Sequence, residues 1–269
     1  MVNGYRDSDY VQILYDLVPE LKTLPRGHLH SERFPELRNV VYIGQEKQRG
    51  MYNTSELMTL GSLTDDAMLS EAKAQVGCHD EINMQYTSGT TGFPKAILHR
   101  HRALVCSCVT EQHHHGQTKD DVFLCIPPLY HTGAKMHWFG SLISGGKAVL
   151  LRGVKPEWIL RTVTEEKCTI VWLLVPWAQD ILDAIESGRV NLEHYLLDQW
   201  RLMHIGAQPV PPSLIKRWLK YFPHHKYDTN YGLSESIGPG CVHLGVDNIE
   251  KIGAIGKAGY LWQTRILNE

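Results

Sequence analysis

No stretch of this chain is apolar for long enough to cross a bilayer: the longest run, 170–178, is short and broken by Pro176. Residues 1–10 are polar and carry no signal-peptide pattern. Cysteine is sparse and scattered, six residues at 78, 106, 108, 125, 168 and 241 without a CxxC pair. That usage argues against a disulfide framework and suits a reducing cytoplasm. Charge of one sign is missing too, since 27 Lys and Arg stand against 29 Asp and Glu for a net −2. A bulk electrostatic case for nucleic acid or an anionic membrane is therefore lacking. Repeats and low-complexity segments are also absent.

What is present is a chain of 269 residues, 43% hydrophobic and 21% charged, the range of an ordinary globular protein with a substantial core. Short β-branched runs alternate with amphipathic stretches. Strands are expected over 40–44, 81–87, 122–126, 147–151, 169–174, 201–205 and 226–230. Helices are expected over 9–21, 64–76, 101–115, 134–144, 156–167, 177–187 and 211–221. Two of these helices open with proline, whose missing N–H costs little at that position. Several strands are nearly continuous apolar runs, as in sheets covered by helices on both faces. The alternation predicts an α/β fold with parallel, right-handed crossovers. Ligands of such sheets bind beyond the carboxyl ends of the strands.

One cluster invites a metal reading: His99, His101, Cys106, Cys108 and His113, His114 and His115. Its spacings match no structural zinc pattern, and three consecutive histidines on a helix point in different directions. The triplet reads instead as a polar, partly exposed helix end before Gly116.

The most chemically specific segment is "MQYTSGTTGFPKAILH", residues 84–99. Gly89 and Gly92 permit positive φ and close backbone approach, and successive N–H groups in such a turn form an anion-binding nest. Thr87, Ser88, Thr90 and Thr91 add hydroxyl donors, and Lys95 adds a positive charge. A plain polar turn between strand and helix would explain the glycines but not the four hydroxyls and the lysine. The chemistry therefore favours a polyphosphate. It is not a Walker A loop, because Phe93 and Pro94 separate the second glycine from Lys95 and Ala96 follows it.

"YTSGTTGFPKA" closely resembles the phosphate-loop signature of the AMP-forming adenylating enzymes, which include acyl-CoA synthetases, luciferases and peptide-synthetase adenylation domains. Four further segments follow in that family's order. "PPLYHTGAK" (127–135) resembles the segment whose histidine, here His131, lies by the substrate carboxylate. "HIGAQPV" (204–210) resembles the stretch lining the adenine and acyl pocket. "NYGLSES" (230–236) resembles the YGxTE motif, with Ser234 for the usual Thr, and "GAIGKAG" (253–259) resembles the entry to a small β-barrel. The likeness is strongest to acyl-CoA synthetases.

The resemblance implies an ATP-dependent ligase that joins a carboxylic acid, fatty or aryl, to coenzyme A through an acyl-adenylate, with Mg²⁺. Thr87 to Lys95, including Ser88, Gly89, Thr90, Thr91 and Gly92, would hold the phosphates. Glu235 would ligate Mg²⁺, and Ser234 would donate to the α-phosphate. Gly206, Ala207, Gln208, Asn230, Tyr231 and Gly232 would surround the adenine. Met136, His137, Trp138 and Trp177 would line the acyl pocket, with Trp177 shortening it. Taken singly these residues have plainer readings: His131 as a polar core residue, the tryptophans as core anchors, Glu235 as a surface acid. The expected fold is two doubly wound, mainly parallel subdomains, 1–118 and 119–246, and the start of a truncated β-barrel at 247–269. No C-terminal domain, hinge or TGD motif is found, so the chain reads as the core of a longer cytoplasmic enzyme, weakly active or inactive alone. A homodimer is compatible with this reading. The rivals are an acyl-AMP ligase that loads a carrier protein and a non-catalytic nucleotide-binding module.

Overall fold

The computed structural model describes residues 1–5, 7–88, 92–243, 251 and 253–267. They pack as two compact units, Met1–Val76 and Gly77–Glu269. Compactness thus places a division at 76/77.

In the first unit, β1 (Gly4–Tyr5) pairs antiparallel with β2 (Ser8–Asp9), and β3 (Val41–Tyr42) pairs parallel with β4 (Tyr52–Asn53). The helix expected over 9–21 is split into α1 (Tyr10–Leu17) and a 3-10 turn, Pro19–Lys22. Proline pushes the preceding residue out of the helical region, and Val18 accordingly sits at φ −133°, ψ 71°. Helix α2 (Thr54–Gly61) was not expected. A capping box between Asn53 and Glu56 starts it, and α3 (Asp66–Ala74) follows. Val11, Val18, Leu21, Leu29, Val40, Tyr42 and Met51 form a small core.

The second unit opens with β5 (Glu81–Thr87) and β6 (Lys95–Arg100), an antiparallel pair closed by Thr87 opposite Lys95. The glycine-rich loop therefore joins two strands, and helix α4 (His101–His115) comes only after β6. The pairing corrects the expectation of a strand-to-helix turn. A second doubly wound sheet in residues 1–118 is likewise not formed among the described residues, which make two-stranded ladders there. A hairpin returns through a short loop, whereas parallel pairing requires a long crossover.

Beyond α4 the expectation holds closely. The order is β7 (Val122–Cys125), α5 (Thr132–Ser144), β8 (Lys147–Leu150), α6 (Pro156–Glu166), β9 (Ile170–Leu174) and α7 (Val175–Glu186). Next come β10 (Leu202–Gly206), α8 (Pro212–Tyr221) and β11 (Lys226–Asp228). The five strands form one parallel sheet in the order β11-β10-β9-β7-β8. Strand alternation sorts its side chains. Leu124, Val171, Leu173, Met203 and Ile205 pack with buried residues of α6, α7 and α8, including Leu160, Leu182 and Trp218. Phe123, Cys125, Ile170, Trp172 and Leu202 point to the opposite face, with Ala134 of α5.

The strand expected over 226–230 breaks at Thr229. Asn230–Gly232 form β12, which joins an antiparallel sheet with β13 (Pro239–Val242) and β14 (Lys257–Ala258).

The amino ends of β7, β9 and β10 are tied by one carboxylate. Asp121 accepts from Arg201 Nε and Nη2, each at 2.9 Å, from Thr169 Oγ1 at 2.7 Å and from the Thr118 amide at 2.9 Å. Burial alone would raise its pKa, but these hydrogen bonds and the guanidinium hold it below the usual carboxylate range. Since the Arg201 end is partly solvated, Asp121→Asn should cost about 2 kcal/mol in urea melts at neutral pH. Asp121 stabilises the fold above its unfolded pKa and loses that effect as pH falls through its lower folded value, so the variant should show a shallower acid decline. Equal stability at neutral pH would refute the assigned role.

Candidate functional site

The order of the parallel sheet reverses between β7 and β9. From β7 the chain steps to β8 on one side, then crosses back to β9, β10 and β11 on the other. Connections leaving the carboxyl ends of such neighbours diverge and open a crevice. His131 caps α5 just beyond β7, exposed and with its ring 4.6 Å from that of Tyr130. Trp177 lies in the first turn of α7, directly beyond β9, half-buried against the main core. Gly206 ends β10, and Ala207 and Gln208 follow it, exposed. Ala207 takes φ +67°, a left-handed conformation that costs a residue with a Cβ roughly 1–2 kcal/mol.

Asn230, Tyr231 and Gly232 follow the end of β11, and Tyr231 leaves half its surface exposed (50%). Gly232 is required where it stands, because a Cβ there would lie 2.1 Å from Gly238 O. Ser234 and Glu235 belong to a short 3-10 turn, Ser234–Ser236. Ser234 is half-buried; Glu235 is exposed and carries no ion pair among the described residues. An open, uncommitted carboxylate of this kind suits a hard cation such as Mg²⁺.

The β5–β6 hairpin is joined to this turn by a buried histidine that the sequence reading left unassigned. Lys135 Nζ on α5 donates to Asn83 Oδ1 at 2.9 Å and to Gln85 Oε1 at 3.2 Å. With its oxygen engaged, the Asn83 amide presents Nδ2 to His99 Nδ1 at 3.1 Å. His99 is thereby left with its proton on Nε2, which donates to Ser234 O at 2.7 Å. Partial burial lowers the pKa of Lys135. Thr87 and Lys95 stand at the mouth of the hairpin, Ser88 and Gly92 just outside it, and Gly92 has φ +86°. Gly89, Thr90 and Thr91 lie outside the described residues.

Three expected acyl-pocket residues separate. Trp138 is partly exposed beside Phe139. Met136 is buried with Leu104, Cys108 and Ile237. His137 is 2% exposed, its ring stacked 4.6 Å from Phe123 and set edge-on to Trp172 and His204 at 4.8 Å. Burial drives its pKa well down.

The histidine triplet is the larger correction. Expected to be a partly exposed helix end, it buries His115 completely and the His114 side chain almost completely, leaving only His113 exposed. Glu111, His115, His137, His204 and Asp228 gather between α4, α5 and the β10–β11 face of the sheet. Asn230 Nδ2 donates to Glu111 Oε1 at 2.7 Å, so the cluster underlies the start of β12. Burial opposes charge throughout, yet Asp228 and Glu111 keep His115 above the usual histidine range. Reciprocally, both carboxyls are held low by the surrounding imidazoles. The period of four from Glu111 to His115 was the available signal for this pairing.

The family described as AMP-binding enzyme matches residues 13–269.

The chain belongs to the AMP-binding enzyme family.

Among its relatives is the putative acyl-CoA synthetase YngI of Bacillus subtilis (strain 168). The two are 29% identical over 238 residues, 88% of this chain and 42% of the relative. The mitochondrial medium-chain acyl-CoA ligase ACSF2 of Danio rerio is 29% identical over 264 residues, 94% of this chain and 41% of that one. A solved structure, the anthranilate CoA ligase AuaEII in complex with anthranoyl-AMP, superposes with TM-score 0.71 at 20% identity and shares the fold. The match covers 84% of this chain and 42% of that one. The chain thus spans about two fifths of the length of the curated relatives it matches. No helix among its described residues is long and apolar enough to cross a membrane.

The His99 bridge is directly testable. His99→Ala should lose about 1–2 kcal/mol in urea melts, because it leaves the Ser234 carbonyl and the Asn83 amide without their partner. His99→Gln, which keeps a donor, should recover part of that loss; equal stability of all three proteins would refute the bridge.

Proposed function

We propose that this chain is the nucleotide- and acid-binding core of an ATP-dependent carboxylic acid–CoA ligase. A carboxylate oxygen attacks the α-phosphate of ATP, pyrophosphate leaves, and an acyl-adenylate results. The thiolate of coenzyme A then attacks the acyl carbon and expels AMP. The observation that carries this reading is the gathering of three motif segments beyond the carboxyl ends of β7, β10 and β11, astride the reversal in strand order.

Two anions must meet in the first step, so the protein's work is positioning and charge neutralisation. Lys95 with Thr87, Ser88, Gly92 and the residues 89–91 holds the β- and γ-phosphates and afterwards the pyrophosphate. Ser234 donates to the α-phosphate, and Glu235 ligates the Mg²⁺ that arrives with ATP. Tyr231 offers its face to the adenine, with the backbone of Gly206, Ala207, Gln208, Asn230 and Gly232 around the ring. His131 stands by the acid's carboxylate. Trp177 and Trp138 bound the acyl group, while Met136 and His137 act from behind as packing. A flat indole in the first turn of α7 favours an aryl or medium-chain acid. The names of the medium-chain and anthranilate ligases are in keeping with that choice. The three-part division at 118 and 246 belongs to the same reading.

Calorimetric titration with ATP–Mg²⁺ tests the nucleotide part. The wild-type chain should bind, and Lys95→Ala and Tyr231→Ala should each bind about tenfold more weakly, a loss of about 1.4 kcal/mol. Circular dichroism checks that the variants fold. A folded wild type without binding would overturn the assignment for this chain. Acid-dependent pyrophosphate exchange by a longer protein containing this sequence tests the ligase, and no exchange with any aryl or medium-chain acid would leave only a nucleotide-binding module.

A further inference from the structure

We propose that Glu111, His115 and His204 form a buried site for a transition-metal dication, Zn²⁺ by its donor set, that braces α4 against the sheet. One ligand atom from each residue lies within 4.8 Å of the others. Glu111 Oε1 is 3.1 Å from His115 Nε2 and 3.6 Å from His204 Nε2. Tetrahedral zinc with bonds of about 2.0–2.1 Å sets its donors roughly 3.3–3.4 Å apart, so the two separations from Glu111 bracket the requirement, while the two imidazole nitrogens, within 4.8 Å of each other, close onto the ion when it binds.

The second shell is already in place. Asp228 Oδ1 accepts from His204 Nδ1 at 2.7 Å, which fixes the tautomer and turns the Nε2 lone pair toward Glu111. A carboxylate behind a ligating imidazole is the usual support for such a metal. On the other side, Asn230 Nδ2 donates to Glu111 Oε1 and orients that carboxylate. Glu111 and His115 share one face of α4 through their four-residue spacing.

Charge and hydrogen-bond satisfaction point the same way. Glu111 and Asp228 are 1% and 0% exposed, and among the described residues no Lys or Arg pairs with either. Glu111 Oε2 and His137 Nε2 are buried without a hydrogen-bond partner, and Asp228 Oδ2 and His114 Nε2 face each other at 3.4 Å without forming a hydrogen bond. The His115 Nε2 position faces two carboxylate oxygens, Glu111 Oε1 at 3.1 Å and Asp228 Oδ2 at 3.5 Å, and a single N–H cannot serve both fully; its third neighbour, His204 Nδ1 at 3.2 Å, is itself a donor. A protonated His115 offsets one negative charge; a dication offsets two. Two imidazoles and a carboxylate select Zn²⁺, with Co²⁺ as its spectroscopic stand-in, over Mg²⁺ or Ca²⁺. Because the site is closed from solvent, its role is structural. His204 and Asp228 each sit two residues before a proposed adenine contact, Gly206 and Asn230. The three ligands themselves lie outside that proposed machinery, so the metal stands whether or not the chain binds ATP.

The test is metal content and spectrum of the chain produced in zinc- or cobalt-supplemented medium. Elemental analysis after gel filtration should find about one metal per chain. The cobalt form should show visible d–d absorption, and prolonged chelation should lower the melting temperature. Glu111→Gln should lose the metal and the absorption, while His113→Ala, altered at an exposed neighbour, should keep both. Should Glu111→Gln fail to fold, the wild-type content and spectrum decide alone. A metal-replete wild type with less than about 0.1 equivalent and no response to chelator would overturn the proposal and leave a proton-linked histidine–carboxylate cluster. Metal retained in a folded Glu111→Gln would overturn the assigned ligand set.

Discussion

The reversal of strand order between β7 and β9 is the constraint on which the rest of the second unit depends. A parallel sheet built by right-handed crossovers can send its helices to both faces only if its order turns back somewhere. Here α5 covers one face, and α6, α7 and α8 cover the other. Each strand must therefore be apolar on both sides, which accounts for runs such as Ile170–Leu174. The same reversal leaves the carboxyl ends of β7 and β9 without a common connection. The segments that begin at His131, Trp177, Ala207 and Asn230 all start from that edge.

The two edges of the sheet are held by different chemistry. At the amino edge the Asp121 carboxylate satisfies Arg201, Thr169 and Thr118 and closes the strands tightly. At the carboxyl edge the links run sideways, from Lys135 through Asn83 and His99 to the Ser234 carbonyl. Through that chain of hydrogen bonds the hairpin carrying Thr87 and Lys95 is positioned against the turn carrying Ser234 and Glu235. These are the residues proposed to meet opposite ends of a triphosphate. Their spacing is set by a histidine that touches no ligand in the proposed reaction.

Much of the fold was legible because its signals are local. Pro156 and Gly145 mark where α6 starts and α5 stops, and α4 was expected over the residues it occupies. The misreadings came where local signals compete with partners distant in sequence. The segment 95–100 carries no strong strand pattern; its strand exists because β5 folds back on it. The segment 226–230 reads as one strand, but Thr229 is where the chain leaves the parallel sheet for an antiparallel one. In the first unit Pro19 cut a helix that apolar spacing alone would have carried through.

The site divides in the same way. The hydroxyls, glycines and lysine of 87–95, the glycines at 206 and 232, and the aromatic and acidic residues at 231 and 235 announce their chemistry by type and order. The sequence by itself determined which residues are proposed to meet phosphate, adenine and a divalent cation, because that reading rests on side-chain chemistry and short-range spacing. Burial and partnership were decided only by the tertiary structure. His115 is a buried partner of carboxylates rather than a frayed helix end because Asp228 and His204, more than 80 residues away, are brought against it. His137 is sealed among rings that belong to four other elements. Solvation and Coulomb energy depend on distance in space, and no pattern along the chain encodes that distance.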